Sequence, residues 1–339
     1  MNRRKACLTL GVGVGVGVGV GVGVGVGVGL ALSMTGARAQ GGRSARIGIV
    51  EYGVAPDSAL TRLYLEALAG LGWREGGTLG VERRHAGGRP ERFGELLREL
   101  AALPVELVFA PGHDIAKAAK ATIPAMAVVT VGSEDPVQSG LIQSLARPGG
   151  SITGVSFMSP ELAAKRLELL KAMLPGLARV GVLWEPEHAD TYYQSLDAVA
   201  ATMGLRLHLA SVRSAAELEP AFAELAGARS QALFVVPSRL TGVQARRIVE
   251  LAGAARLPLI SAYASFADAG GLMSYGAVTG DGPRRAAAQT DRILRGARAG
   301  ELPFELPTRF ELVVNLKVAA ALGLTIPPAL RLRADRVIE

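Results

Sequence analysis

The sequence predicts an α/β protein of two similar lobes, each a parallel sheet flanked by helices, with a cleft between them. Three observations carry this. Short β-rich runs alternate with helical patterns from Arg46 onward, the pattern of strand–helix–strand units and hence of parallel sheets. The strands fall into two sets of about five, whereas a (β/α)8 barrel, the other architecture that alternation permits, needs a single ring. Beyond a leader-like first 39 residues, the 339-residue chain leaves 300, room for two domains of ordinary size.

In order, "RIGIV" (46–50) is a short continuous apolar run, as a buried strand requires, and a helix follows from about Ser58 to Leu71. "GVERRHA" (80–86) alternates with the strand period, and "ERFGELLRELAAL" (91–103) repeats its apolar residues with the helical one. "VELVFA" (105–110), "AMAVVTV" (125–131) and "SITGVSF" (151–157) complete the first set. "PELAAKRLELLKAML" (160–174) is a strongly amphipathic helix with Pro160 suited to its first turn. The second set is "RVGVLW" (179–184), "RLHLA" (206–210), "ALFVV" (232–236), "LPLIS" (257–261) and "LMSYG" (272–276), with helices between. The remainder reads as a helix end, a Pro-bounded extended segment and a last helix, with the chain crossing back between lobes. The expected division is 40–157 plus about 277–300 for the first lobe, and 158–276 plus about 301–339 for the second.

Residues 11 to 30 read "GVGVGVGVGVGVGVGVGVGL". Glycine falls only on odd positions, so the first, third and sixth glycines of a dinucleotide loop never occur together. A packed strand would lack every second side chain. The flanks give the reading: Arg3, Arg4 and Lys5 precede an apolar core, and Ala37-Arg38-Ala39 is a small-x-small cleavage site before Gln40. This is the layout of a secretory signal peptide over 1–39 and places the mature protein in the periplasm. The core is longer than usual, which leaves an uncleaved anchor as the other reading. Lys5 interrupts the twin-arginine pattern, so the general secretory route is expected.

Removing Arg3, Arg4, Lys5 and Arg38 lowers the net charge from +7 to +3. No Lys/Arg run carries interleaved aromatics, so nucleic-acid binding is not expected. The single cysteine, Cys7, leaves with the leader, so neither a disulfide nor thiol chemistry is expected. The four histidines, His85, His113, His188 and His208, lack ligand spacing, and neither metal nor cofactor is expected. There is no GxSxG elbow and no GxxxxGK[ST] loop. A binding role is therefore placed ahead of catalysis.

In parallel sheets ligands sit beyond the carboxyl ends of the strands. Those positions hold Glu51-Tyr52, Gly112-His113-Asp114, Gly132-Ser133-Glu134-Asp135, Trp184-Glu185, Ser238-Arg239, Ser261 with Tyr263, and Tyr275. They are rich in aromatic and charged groups for a chain only 5% aromatic, which suits a small amphipathic ligand in a cleft. Glu134 and Asp135 are candidates for an ammonium group, and Arg239 or the amides of Gly132 and Ser133 for a carboxylate. Tyr52, Trp184 and Tyr263 would wall the side chain. Each also has a plainer reading: Trp184 as lobe core, His113 as a solvated loop residue, Asp135 as a cap for "PVQSGLIQSL", and Tyr275 as hinge packing.

The stretches "DPVQSGLIQSLARPGGSITGVSF", "PELAAKRLELLKAMLPGLARVGVLWEP", "ADAGGLMSYG" and "LPTRFELVVNLKVAAALGLTIPPALRLRADRVIE" resemble, in order and spacing, the ABC-transporter substrate-binding protein family that includes tryptophan-binding periplasmic proteins. The resemblance runs from about 45 to 339. It implies the type I periplasmic-binding fold, two Rossmann-like lobes joined by crossovers and closing on a ligand at the hinge. It implies no catalysis, and a separate membrane permease and ATPase that take delivery of the ligand; the receptor itself is expected to be a monomer. The departures lie at strand ends. Gly112-His113-Asp114-Ile115-Ala116 stands where the family commonly reads GTPAA, and Val131 to Val137 is one residue longer than VGDPV. Leu183-Trp184-Glu185-Pro186 replaces LWNP, Pro237-Ser238-Arg239-Leu240 replaces PDPL, and Ala264-Ser265 stands for an Arg-Glu pair.

The resulting expectation is an exported solute receptor of an ABC importer that binds an amino acid or related small carboxylate. The alternatives are a sensing subunit for a membrane receptor, or an enzyme using Glu134 or Asp135 as base.

Overall fold

The computed structural model describes residues 43–54, 57–157, 162–186, 190–278 and 280–339. The leader-like segment with its Ala37-Arg38-Ala39 site, Pro160 and His188 lie outside the described residues.

The first lobe is assembled from β1 (Ala45–Glu51), α1 (Ala59–Gly70), β2 (Leu79–His85), α2 (Phe93–Ala101), β3 (Leu107–Pro111), α3 (His113–Thr122), β4 (Ala127–Gly132) and β5 (Ile152–Ser156). Its strands are all parallel, in the order β2-β1-β3-β4-β5. Because side chains alternate along a strand, each strand feeds two cores. Ile47, Ile49, Leu107 and Phe109 face α1, while Val50, Val108 and Ala110 face α2 and α3. Every residue of β3 is therefore buried, as a parallel strand covered on both sides must be.

The second lobe comprises α4 (Ala163–Met173), β6 (Arg179–Trp184), α5 (Asp190–Thr202), β7 (Arg206–Ser211), α6 (Leu218–Gly227), β8 (Ala232–Val235), α7 (Arg239–Val243), α8 (Ala245–Ala254), β9 (Leu259–Ser261), α9 (Ala264–Asp268) and β10 (Met273–Ala277). The chain then gives α10 (Asp281–Leu294), β11 (Phe310–Asn315), α11 (Leu316–Leu322), α12 (Pro328–Arg333) and β12 (Arg336–Ile338). The second sheet is ordered β12-β11-β10-β9-β8-β6-β7 and is parallel except for the β10–β11 pair.

The helix α10 returns to the first lobe. Tyr64 of α1 stacks on Phe109, with ring centroids 3.8 Å apart and planes 6° from parallel. Its hydroxyl meets Thr290 Oγ1 of α10 at 2.7 Å, and Trp73 Nε1 donates to Asp291 at 2.8 Å. Complete burial raises the Tyr64 phenol's pKa, so it stays protonated. Tyr64→Phe keeps the stack and removes only the hydroxyl. It is expected to lower stability by about 1–3 kcal/mol, since Thr290 loses a buried partner. A denaturant midpoint that falls at constant slope would show this; an unchanged midpoint would remove the bond from the account.

Three features differ from the sequence expectation. "PVQSGLIQSL" forms turns, not a helix: Asp135 Oδ1 accepts the amides of Val137 and Gln138 at 2.8 and 2.9 Å, and Gly140 at φ 69° turns the chain away. Residues 301–305, assigned from sequence to the second lobe, run along β5 of the first, where the Glu305 amide donates to Gly154 O at 2.8 Å. The short β12 had no apolar run to mark it and is held by pairing with β11. Among the described residues, no helix is long and apolar enough to cross a membrane.

Candidate functional site

A cavity of about 560 Å³ lies between the lobes at the carboxyl ends of the strands. This is where the order of each sheet reverses: chain-consecutive strands part between β1 and β3, and again between β6 and β8. The first lobe contributes the ends of β1, β3, β4 and β5 and the start of α1. The second contributes α4, α7 and the β9–α9 turn, and Ala277, Val278 and Gly280 close the hinge side. Leu60, Leu63, Val131, Phe157 and Val243 make much of the wall apolar.

Of the residues expected from sequence, Glu51, Tyr52, Gly112 and His113 line the cavity from the first lobe. Ser238, Arg239 and Tyr263 line it from the second. Glu134, Asp135, Trp184, Glu185 and Tyr275 fall outside that lining. Glu134 turns to Lys117, whose Nζ donates to it at 2.5 Å, and Asp135 caps its turn, so neither is offered to an ammonium in the cavity. Trp184 packs on the second lobe's core, which is its plainer reading. Tyr275 packs there too and against Phe310. Glu185 is buried near Tyr52 and, after burial itself and against the pull of Arg239, adds to the rise of that phenol's pKa.

His113 opens α3 and is fully buried, edge-on to Phe304 at 5.8 Å. It is a packed residue and not a solvated loop histidine. Its ring lies on Gly132, where a Cβ would come within 2.2 Å of it. Gly112 has φ +132° and a Cβ there would meet Arg239 Cδ at 2.7 Å, so both conformation and space call for glycine.

Arg239 reaches from α7 into the first lobe. Its Nε donates to Asp114 Oδ1 at 2.7 Å and Nη2 bonds Oδ2. The guanidinium carbon sits 4.1 Å from the Tyr52 ring centroid and 5.1 Å from that of Phe93. Burial lowers its pKa to about 10, which still leaves it charged at neutral pH. Tyr263 and Phe157 meet edge-on across the lobes at 6.4 Å. Burial raises the Tyr263 pKa, opposed by a hydrogen bond to Ser133 and by the Arg166 charge.

Two charged groups matter most for a ligand. Glu51 is 5% exposed and its Oε1 accepts the Ser58 amide and hydroxyl, each at 3.1 Å. Arg166 is 0% exposed, lines the cavity from the second lobe, and donates from Nε to Tyr275 O at 2.7 Å. The sequence reading passed over Arg166. The signal was available: it stands three residues after Ala163 and four before Leu170, on the apolar stripe of α4, where a charge is costly unless it has a use. Among the described residues, no group of three or more His, Cys, Asp or Glu is arranged to hold a metal.

The comparisons with known proteins agree with this architecture. A tyrosine-binding protein from Clostridioides difficile is 22% identical over 277 residues, 81% of this chain and 78% of that protein. A conserved domain protein from Vibrio cholerae superposes with TM-score 0.80 at 24% identity, covering 87% of this chain and all of that one. An ABC domain in complex with L-Trp from Streptococcus pneumoniae gives 0.79 at 22%, with 87% and 100% covered. The fold is the type I periplasmic-binding-protein architecture. The model of the family described as "ABC transporter substrate binding protein" matches residues 58–338; with two lobes, an inter-lobe cavity and this match, the chain belongs to the ABC transporter substrate-binding protein family.

Proposed function

We propose that the protein is an exported receptor that captures an amino acid or related small carboxylate between its lobes and presents it to an ABC permease and ATPase. The observation that carries this is a pair of buried groups of opposite sign lining one largely apolar cavity, Glu51 from the first lobe and Arg166 from the second. A zwitterion placed between them sets its carboxylate against the Arg166 guanidinium and its ammonium against the Glu51 carboxylate. It is then held fully only when the lobes are together, so binding favours closure by its differential affinity for that state. Leu63, Val131, Phe157 and Tyr263 offer the side chain an apolar and aromatic wall. The names of two similar proteins, one tyrosine-binding and one in complex with L-Trp, point the same way. The family's usual place outside the inner membrane and the leader-like segment support export.

The test is native mass spectrometry of freshly purified protein followed by calorimetry against the twenty amino acids. Aromatic or large apolar amino acids are expected to bind at micromolar dissociation constants or tighter, about −8 kcal/mol or better. Binding of a sugar with no response to any amino acid would overturn the assignment.

A further inference from the structure

We infer that Arg239 is a closure latch, a bolt on the second lobe whose socket on the first is Tyr52, Phe93, Gly112 and Asp114. The inference rests on the reading that the lobes close on a ligand, but it assigns Arg239 to the lobe contact and not to ligand recognition.

The geometry is that of a built socket. The Arg239 side chain is 12% exposed and pairs with Asp114, 125 positions away in sequence and on the other lobe. Two of its nitrogens engage both oxygens of Asp114, the fork-to-fork pairing that gives Arg its directional strength. The rings of Tyr52 and Phe93 lie against the guanidinium at 4.1 and 5.1 Å, within cation–π range. Gly112 supplies the notch, because any Cβ there would collide with Arg239 Cδ. A second cross-lobe contact sits beside it, Ser133 Oγ donating to Pro237 O at 3.4 Å. With its fork already given to Asp114, Arg239 binds one lobe to the other. Separating the lobes would break the two parallel bonds to Asp114, lift the guanidinium off two rings and expose their faces. Rehydration of the two charges offsets that loss only in part, so in this reading the latch favours closure before any ligand contributes.

Two readings of Arg239 predict opposite signs for one substitution. As a ligand anchor for which Asp114 competes, Arg239 would bind a carboxylate more tightly in Asp114→Asn. As a latch, the same change loosens closure and speeds ligand escape. The closing experiment places spin labels at the exposed positions Glu95 and Arg246, each changed to Cys, in a chain whose lone Cys7 is replaced by Ser. Pulsed dipolar spectroscopy on ligand-free protein is expected to show a closed population that shrinks, with a longer mean distance, in Asp114→Asn and Arg239→Ala. Arg239→Lys, which keeps charge without the fork, is expected to fall between. With L-tryptophan as probe, the off-rate in Asp114→Asn should rise roughly tenfold with little change in on-rate. Unchanged distances in both variants, or tighter L-tryptophan binding in Asp114→Asn, would overturn the latch. Failure of L-tryptophan to bind bears on the ligand assignment alone, since the ligand-free distances decide the latch by themselves.

Discussion

Arg166→Met is expected to weaken amino-acid binding by about a hundredfold while leaving a folded protein. Each charge-assisted hydrogen bond to a carboxylate is worth about 1.5–3 kcal/mol, and a guanidinium can supply two in parallel. Methionine keeps a long flexible body on the apolar stripe of α4, so Leu167 and Leu170 retain their neighbour. The Tyr275 carbonyl loses the Arg166 donor, so the melting temperature should fall modestly. Arg166→Lys should sit between, roughly tenfold down, because a point charge replaces a fork. Calorimetry with the amino acid identified in the binding panel, alongside thermal melts of the empty protein, separates the outcomes. Unaltered affinity with a large drop in melting temperature would make Arg166 a prop for the β10 strand and nothing more.

The fold was legible because its central strands are buried on both faces and announce themselves as apolar runs. "RIGIV" and "VELVFA" lie on β1 and β3 with small end shifts. Periodicity was a poorer guide where contacts made at long range decide the structure. The segment 301–305 carries no pattern saying that it will pair with β5, and β12 exists only because β11 offers an edge. At the site, the rule that ligands gather at strand ends found the right loops but could not say which way each side chain turns. Glu51 ends β1 and Glu134 lies just past β4, so both are strand-end carboxylates of the same apparent promise. Ser58 holds Glu51 at the cavity wall, whereas Lys117, on α3, draws Glu134 away. Lys117 is 17 residues distant in sequence, and no local spacing reveals that pairing. Arg166 was missed for the opposite reason. It lies inside a helix, where the strand-end rule does not look, and only its place on an apolar stripe marks it.

Gly132→Ala is expected to damage both stability and binding, by about 1–3 kcal/mol for the overpacking alone. The new Cβ would stand 2.2 Å from His113 Cδ2 and 2.5 Å from Cγ. This is the body of a ring that is itself fully buried and wedged against Phe304, so the ring cannot give way cheaply. Either His113 is pushed toward the cavity or β4 backs off, and the second response drags Ser133 from Tyr263. Both residues line the site, so affinity should fall with stability. A double-mutant cycle identifies the cause. His113→Ala alone costs packing, but in the Gly132→Ala background it also removes the obstacle, so the pair should cost less than the sum of the singles. Contacting residues of this kind couple by about 0.5–3 kcal/mol. Strict additivity in thermal and denaturant melts would show that the alanine is accommodated without moving His113, and the packing of that ring on Gly132 would then not be what shapes the cavity floor.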